Sequence, residues 1–303
     1  MTATADGTSP IATARRYARA VRKRLERPYP VAWCKWNPPR PPFPAHQLGY
    51  ASFYARQATA SLRPLPDYLI IGAAKSATTS LYEYLAAHPA VCAPLRKEIW
   101  YFDRHYDRGS AWYRAHFPTR IHRARIERQT GYATLTGEAT PSYLPSPDVP
   151  ARVAALMPEV KLVVLLRNPV DRAISHYSMR VRHGLETRPI DDALSADSSY
   201  VALGRYAEQL ERWFECIRPE QLLVLPSDEL TSAKNPGFDQ VLRFLDLAPW
   251  RPPAFEMYLK GTYSPTNPEL RARLQDAYAV PNDRLWALLG TRWGWDEPRV
   301  STP

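Results

Sequence analysis

Two short apolar runs, each followed at once by a cation, constrain this chain more than any other feature. Tyr68-Leu69-Ile70-Ile71 runs into Gly72-Ala73-Ala74-Lys75-Ser76-Ala77-Thr78-Thr79-Ser80 and then into Leu-Tyr-Glu-Tyr-Leu-Ala-Ala. Lys161-Leu162-Val163-Val164-Leu165-Leu166 runs into Arg167-Asn168-Pro169. A short, continuous apolar run suits a strand covered on both faces, as in a parallel sheet. A polar turn and a helical pattern follow each run, so both read as strand-loop-helix units.

The remaining pattern agrees. From Pro66 onward strands and helices alternate. Helices are expected from Thr79 to Ala87, from Asp148 to Leu156 with Asp148 as N-cap, from Pro169 to about Arg182, from Tyr206 to Cys216, and from Phe238 to Leu245. Gln221 to Leu225 reads as a further buried strand. Alternation of this kind predicts an α/β domain whose central parallel sheet is flanked by helices. Ligands in such sheets bind beyond the carboxyl ends of the strands. Both the Lys75 loop and Arg167 lie there.

A loop that opens a helix offers unpaired amides and the positive end of the helix dipole, which together attract an anion. Lys75 adds a charge, and Ser76, Thr78, Thr79 and Ser80 add hydroxyl donors. The loop is not a Walker A sequence, which places a second glycine directly before its lysine. An NTPase of that type also ends a later strand in Asp for magnesium, whereas Lys161–Leu166 ends in Arg167. Cations at two strand ends, without that carboxylate, point to a ligand with phosphates at two places and held without metal. Taken alone, the loop also reads as an ordinary capped strand-to-helix turn.

Charge is concentrated near the start of the chain. Residues 11–28 carry a net +6 of the chain's +10. Ile11, Ala14, Ala18, Val21 and Leu25 recur there at helical spacing. The Pro-rich stretch Asn37 to Pro44 follows. We read residues 1–65 as a basic, Pro-rich arm and residues 66–303 as the main domain. Such an arm is a solvated helix with a linker, or it docks on an anionic membrane surface or a partner. The mild excess elsewhere gives no sign of a nucleic-acid surface. The three cysteines, Cys34, Cys92 and Cys216, are too few and too scattered for a disulfide framework or a zinc site. No run of about 18 apolar residues suggests a membrane span, and the N-terminus lacks a signal-peptide core. A cytoplasmic protein, with peripheral membrane contact through residues 11–28 as an option, is the expectation. The Ala/Arg/Pro-rich composition suggests a bacterial source.

Several segments, in order, resemble one family. Ile70–Leu85, Leu162–Tyr177, Lys97–Asp103, Asp107–Tyr113 with Phe117-Pro118, Gly137–Leu144, Gly204–Trp213, Lys260–Pro265 and Ala277–Gly290 are similar to sulfotransferases that use 3′-phosphoadenosine 5′-phosphosulfate (PAPS). The similarity is to the branch of heparan sulfate N- and 3-O-sulfotransferases and their bacterial relatives. It implies a P-loop-like three-layer fold. It implies that Lys75, Ser76, Ala77, Thr78, Thr79 and Ser80 cradle the 5′-phosphosulfate and that Arg167 and Ser175 hold the 3′-phosphate. Lys260, Gly261, Thr262, Tyr263 and Ser264 would close over the nucleotide. Lys75 would stabilise the leaving phosphate and Glu98 would be the base. On residue type alone, Glu98 is equally a surface glutamate beside Lys97, and His105 is the competing base, ahead of His88 and His176. The resemblance implies no metal.

Departures from the family pattern concern mostly the acceptor. Thr262, where the family has arginine, implies one weakened 3′-phosphate contact, whereas Trp100 stands where a histidine is frequent and Ala139 where lysine is common. These changes point away from heparan sulfate and towards a small molecule, a glycolipid or another saccharide. They suggest a less ionic acceptor pocket around Trp100, Tyr101 and Tyr143. Ala77 replaces the usual glycine of the loop. If its φ is positive, the methyl costs about 1 kcal/mol or more. A P-loop-type small-molecule kinase and a non-catalytic membrane- or partner-binding protein are the alternative readings.

Overall fold

The computed structural model describes residues 50–232, 235–255 and 267–295. The arm at residues 11–28 and the Lys260–Ser264 segment lie outside the described residues. Four parallel strands form one sheet in the order β2-β1-β3-β4. They are β1 (Tyr68–Gly72), β2 (Gly137–Ala139), β3 (Lys161–Leu166) and β4 (Leu222–Pro226). The principal helices are α1 (Tyr50–Ala58), α2 (Thr78–Ala87), α3 (Tyr101–Arg104), α4 (Gly109–Arg114), α5 (Arg120–Thr130), α6 (Val149–Leu156), α7 (Pro169–Arg182), α8 (Tyr206–Cys216), α9 (Pro236–Phe244) and α10 (Pro268–Leu289).

Alternation along each strand divides the interior into two cores. Leu69, Ile71, Leu162, Val164, Leu166, Leu222 and Val224 face one side, where Tyr113, Val153, Leu210, Trp213 and Leu285 pack on them. Tyr68, Ile70, Val163, Leu165, Leu223 and Leu225 face the other, against Leu81, Leu85, Phe238, Val241 and Phe244. Both faces are covered, which is why β1 and β3 are continuous apolar runs. The result is the expected three-layer arrangement. A third cluster joins α7 to α10 through Ile174, Leu274 and Tyr278.

Two expectations are refined. Residues 50–63, placed with the arm by composition, dock on the domain: Arg56 donates from Nε to Ala115 O at 2.7 Å and from Nη2 to Phe117 O at 2.8 Å. Phe53 packs against Trp112 and His116. Asp148 occupies the N-cap position of α6 but makes no capping hydrogen bond. It pairs instead with Arg152, one turn on, at 3.2 Å.

Candidate active site

The β1–α2 loop forms because β1 ends in a residue without a side chain. A Cβ on Gly72 would lie 2.6 Å from Leu144 Cβ. Ala73 then turns under β3, its N–H donating to Leu165 O at 2.7 Å. Lys75 has φ +73° and Ala77 φ +61°, with Ala74, Ser76 and Thr78 outside the left-handed region. The Ser76 N–H between them closes the turn on Ala73 O at 3.2 Å. Ser76 is fully buried at 0% exposure, and its hydroxyl has no hydrogen-bond partner among the described residues. No side chain caps the start of α2. The buried Ser76 hydroxyl is the polar group here that a bound phosphate would satisfy. The left-handed Ala77 answers the question posed by its sequence: the methyl sits where glycine is favoured.

The second cation comes from β3. Arg167 Nη1 lies 3.5 Å from Lys75 O, at the limit of a hydrogen bond. This contact joins the two strand ends. Tyr206 on α8 donates to Arg167 O at 2.9 Å. The helix that follows is capped by Asn168, whose Oδ1 accepts from Val170 N–H at 3.0 Å. Ser175 is buried on α7, and beside it His176 packs edge-on to Tyr200. Burial, then Arg172, Arg180 and Lys75, lowers His176 to about 4. It is a neutral imidazole in a cationic setting.

The third element is the segment before α3. Lys97 Nζ donates to Thr79 Oγ1 at 2.9 Å and to Glu98 Oε1 at 2.9 Å. One ammonium thus ties the phosphate loop's helix to the carboxylate. Glu98 keeps 32% of its side chain exposed. Trp100 has φ +53° and remains partly exposed. His105 closes α3, donates its N–H to Trp100 O and Tyr101 O, and packs its ring on Trp112. His88 is held between Ala248 O and Ala90 N–H and serves the end of α2. Among these residues it is Glu98 that is tied to the loop.

The comparisons decide the family. Residues 65–258 match the sulfotransferase domain model. The chain belongs to the sulfotransferase family. It is 32% identical over 273 residues to heparan sulfate glucosamine 3-O-sulfotransferase 6 of Mus musculus, covering 77% of this chain and 75% of that protein. A crystal structure of a sulfotransferase from Alicyclobacillus acidocaldarius superposes with a TM-score of 0.62 at 27% identity, covering 77% of this chain and 100% of that one. Over 118 residues the chain is 39% identical to the membrane-associated sulfotransferase kil1 of Dictyostelium discoideum, covering 39% of this chain and 24% of that protein. The sulfotransferase is therefore a transferase enzyme rather than a non-catalytic binding protein.

Two of the three aromatics expected around the acceptor are interior residues of this sulfotransferase. Tyr143 is 0% exposed and Tyr101 2%. Tyr101 stacks on Tyr113 with centroids 4.4 Å apart, and Tyr143 Oη donates to Glu138 Oε1 at 2.9 Å. Their burial gives them a scaffolding place and leaves Trp100 as the one with surface to offer. Sequence reasoning passed over Lys97 and Glu138. Lys97 was visible only as a neighbour of Glu98. Glu138 carried a signal, a lone carboxylate in a short strand with Thr and Tyr two and five residues on. Among the described residues, no group of three His, Cys, Asp or Glu could hold a metal ion.

Proposed function

We propose that this sulfotransferase moves a sulfuryl group from PAPS to a hydroxyl of a small-molecule, glycolipid or saccharide acceptor. An amine is the lesser option. The observation that carries the reading is the Lys97 bridge, which joins the loop of Lys75 to the carboxylate of Glu98. When bound, PAPS supplies the sulfuryl group and departs as 3′-phosphoadenosine 5′-phosphate.

This chain's own residues supply three things. The start of α2 and the Ser76 hydroxyl bind the 5′-phosphate, while Arg167 and Ser175 take the 3′-phosphate. Lys75 holds a point charge where negative charge grows on the leaving oxygen, an interaction stronger in the transition state than before it. Glu98 accepts the acceptor's proton. Lys97 fixes Oε1 of that carboxylate and leaves Oε2 for the proton. The Lys260–Ser264 segment belongs to the proposed nucleotide site on sequence alone.

The acceptor class rests on the sequence departures at Trp100, which is partly exposed, and at Ala139, which is a core residue of β2. Among the described residues no helix is long and apolar enough to cross a membrane. A cytoplasmic enzyme, with peripheral contact of its basic arm to an anionic membrane as an option, is our reading of location. The test is direct. Titration calorimetry measures binding of 3′-phosphoadenosine 5′-phosphate. Mass spectrometry then follows an 80-dalton gain, roughly one SO₃ unit, on p-nitrophenol, octyl glucoside and a glucosaminyl oligosaccharide. PAPS and labelled ATP are supplied in parallel. Tight binding and a PAPS-dependent gain are expected. Transfer from ATP instead, or turnover unchanged in Lys75→Ala, overturns the reading.

A further inference from the structure

Glu138 lies in the middle of β2 and is fully buried, where a carboxylate is costly unless its oxygens are filled by donors. They are filled. Oε1 accepts from Tyr113 Oη at 2.8 Å and Tyr143 Oη at 2.9 Å. Oε2 accepts from Thr140 Oγ1 at 2.5 Å and from Ile99 N–H at 3.2 Å. Two of these hydroxyls have a second task. Thr140 Oγ1 also accepts from Ile99 N–H at 3.2 Å and Trp100 N–H at 3.4 Å. Tyr143 Oη accepts from Tyr101 N–H at 2.8 Å and Phe102 N–H at 3.4 Å.

A hydroxyl has one proton. Because Thr140 and Tyr143 spend theirs on Glu138, their lone pairs must face the backbone. Four successive amides, Ile99 to Phe102, therefore end on Glu138 or on a hydroxyl that Glu138 orients. These amides directly follow Glu98 and include the left-handed Trp100. The strand adds a fifth tie, Ala139 N–H to Lys97 O at 2.9 Å.

We infer that Glu138 is a positioning residue: its ionised carboxylate sets the backbone turn that aims Glu98. The inference rests on Glu98 being the base. An amide or a protonated acid at 138 would present a donor to this ring of donors. One hydroxyl would then have to rotate, and the backbone amides it served would lose their acceptor. Burial raises the Glu138 carboxyl to about 7, against the pull of its bonds from Thr140, Tyr113, Tyr143 and Ile99, so the carboxylate is tested at pH 8, where it is ionised.

The experiment uses the full chain and the variants Glu138→Gln and Glu98→Gln. Hydrogen exchange at pH 8 is followed on residues 99–102. Kinetics use octyl glucoside as the probe acceptor, and calorimetry uses 3′-phosphoadenosine 5′-phosphate. In Glu138→Gln the four amides are expected to exchange at least about 10-fold faster. kcat should fall about 10-fold or more, with KM and nucleotide affinity within about twofold. Unchanged exchange or unchanged kcat in Glu138→Gln overturns the inference. If Glu98→Gln keeps full kcat, the base assignment fails, while the exchange result still judges the latch. Should Glu138→Gln not fold, Tyr143→Phe takes its place: faster exchange at Tyr101 and Phe102 alone supports the latch, and no change refutes it.

Discussion

Lys97 and Glu98 are neighbours in sequence and also an ion pair, Nζ to Oε1 at 2.9 Å. Adjacent charged residues on an extended segment usually point apart. Here Lys97 is drawn round by a second acceptor, Thr79 Oγ1 on α2. The pair is partly exposed, so its worth as an ion pair is small. Its value is geometric, since it fixes one carboxylate oxygen relative to the phosphate loop.

Lys97→Met should therefore act on rate rather than on fold. A drop of roughly 10- to 100-fold in kcat is expected, or about 1.4–3 kcal/mol of transition-state stabilisation. Binding of 3′-phosphoadenosine 5′-phosphate should change little and Tm by less than about 2 °C. Steady-state kinetics beside calorimetry check this. A variant with normal kcat and weakened nucleotide binding would place Lys97 on the donor instead.

Ala77 holds φ +61° at the start of α2. A left-handed alanine costs about 1–2 kcal/mol, and glycine there gives back part of that through its freer unfolded state. Ala77→Gly should raise Tm by about 1–5 °C with nucleotide affinity within about twofold. Differential scanning calorimetry decides. A lower Tm would mean that the methyl's contacts in the core beside it outweigh the backbone strain.

Two buried groups should tilt stability against pH in opposite directions. Glu138 is raised from 4.5 to about 7. Between those values the unfolded chain ionises while the folded one keeps its proton, so stability falls as pH rises, on the order of 3 kcal/mol in all. His176 is lowered from 6.5 to about 4. In that window the unfolded chain binds the extra proton, so stability is lost as pH falls. Tm measured from pH 4 to 8 should show Glu138→Gln removing the first slope and His176→Gln the second. If both variants keep the wild-type profile, these two groups are not the source.

Much of the fold could be read from the chain, for a physical reason. β3 and α7 occupy Lys161–Leu166 and Pro169–Arg182 as expected, because a buried strand and a Pro-started helix are written in local sequence. β2 escaped notice: it is three residues long with a carboxylate at its centre, so neither alternation nor an apolar run marks it. The turn from β1 into α2 was legible from its apolar run and the polar residues after it. The ring around Glu138 was not, since Ile99, Tyr113 and Tyr143 meet it only through tertiary packing. Tyr101 and Tyr143 show the limit of residue type as a guide. An aromatic side chain suits an acceptor pocket and a core equally, and its neighbours decide.

The proposed acceptor role of Trp100 is open to a direct test. It stands immediately beyond the Glu98-Ile99 pair, and Arg104 lies over its ring, 5.4 Å from the centroid. An exposed cation–π contact of this kind is worth about 0.5–1 kcal/mol, enough to hold the indole but not to lock it. Trp100→His keeps a ring, adds hydrogen-bonding nitrogens, and removes most of the apolar face. It should raise KM for p-nitrophenol at least about fivefold while improving a glucosaminyl oligosaccharide relative to it. Affinity for 3′-phosphoadenosine 5′-phosphate should stay within about twofold, because Trp100 has no part in the phosphate loop. Competition between the two acceptors in one reaction, read by mass spectrometry, measures the ratio without separate KM values. An unchanged ratio would remove Trp100 from the acceptor site and turn attention to the residues beyond 255 that sequence places at the nucleotide.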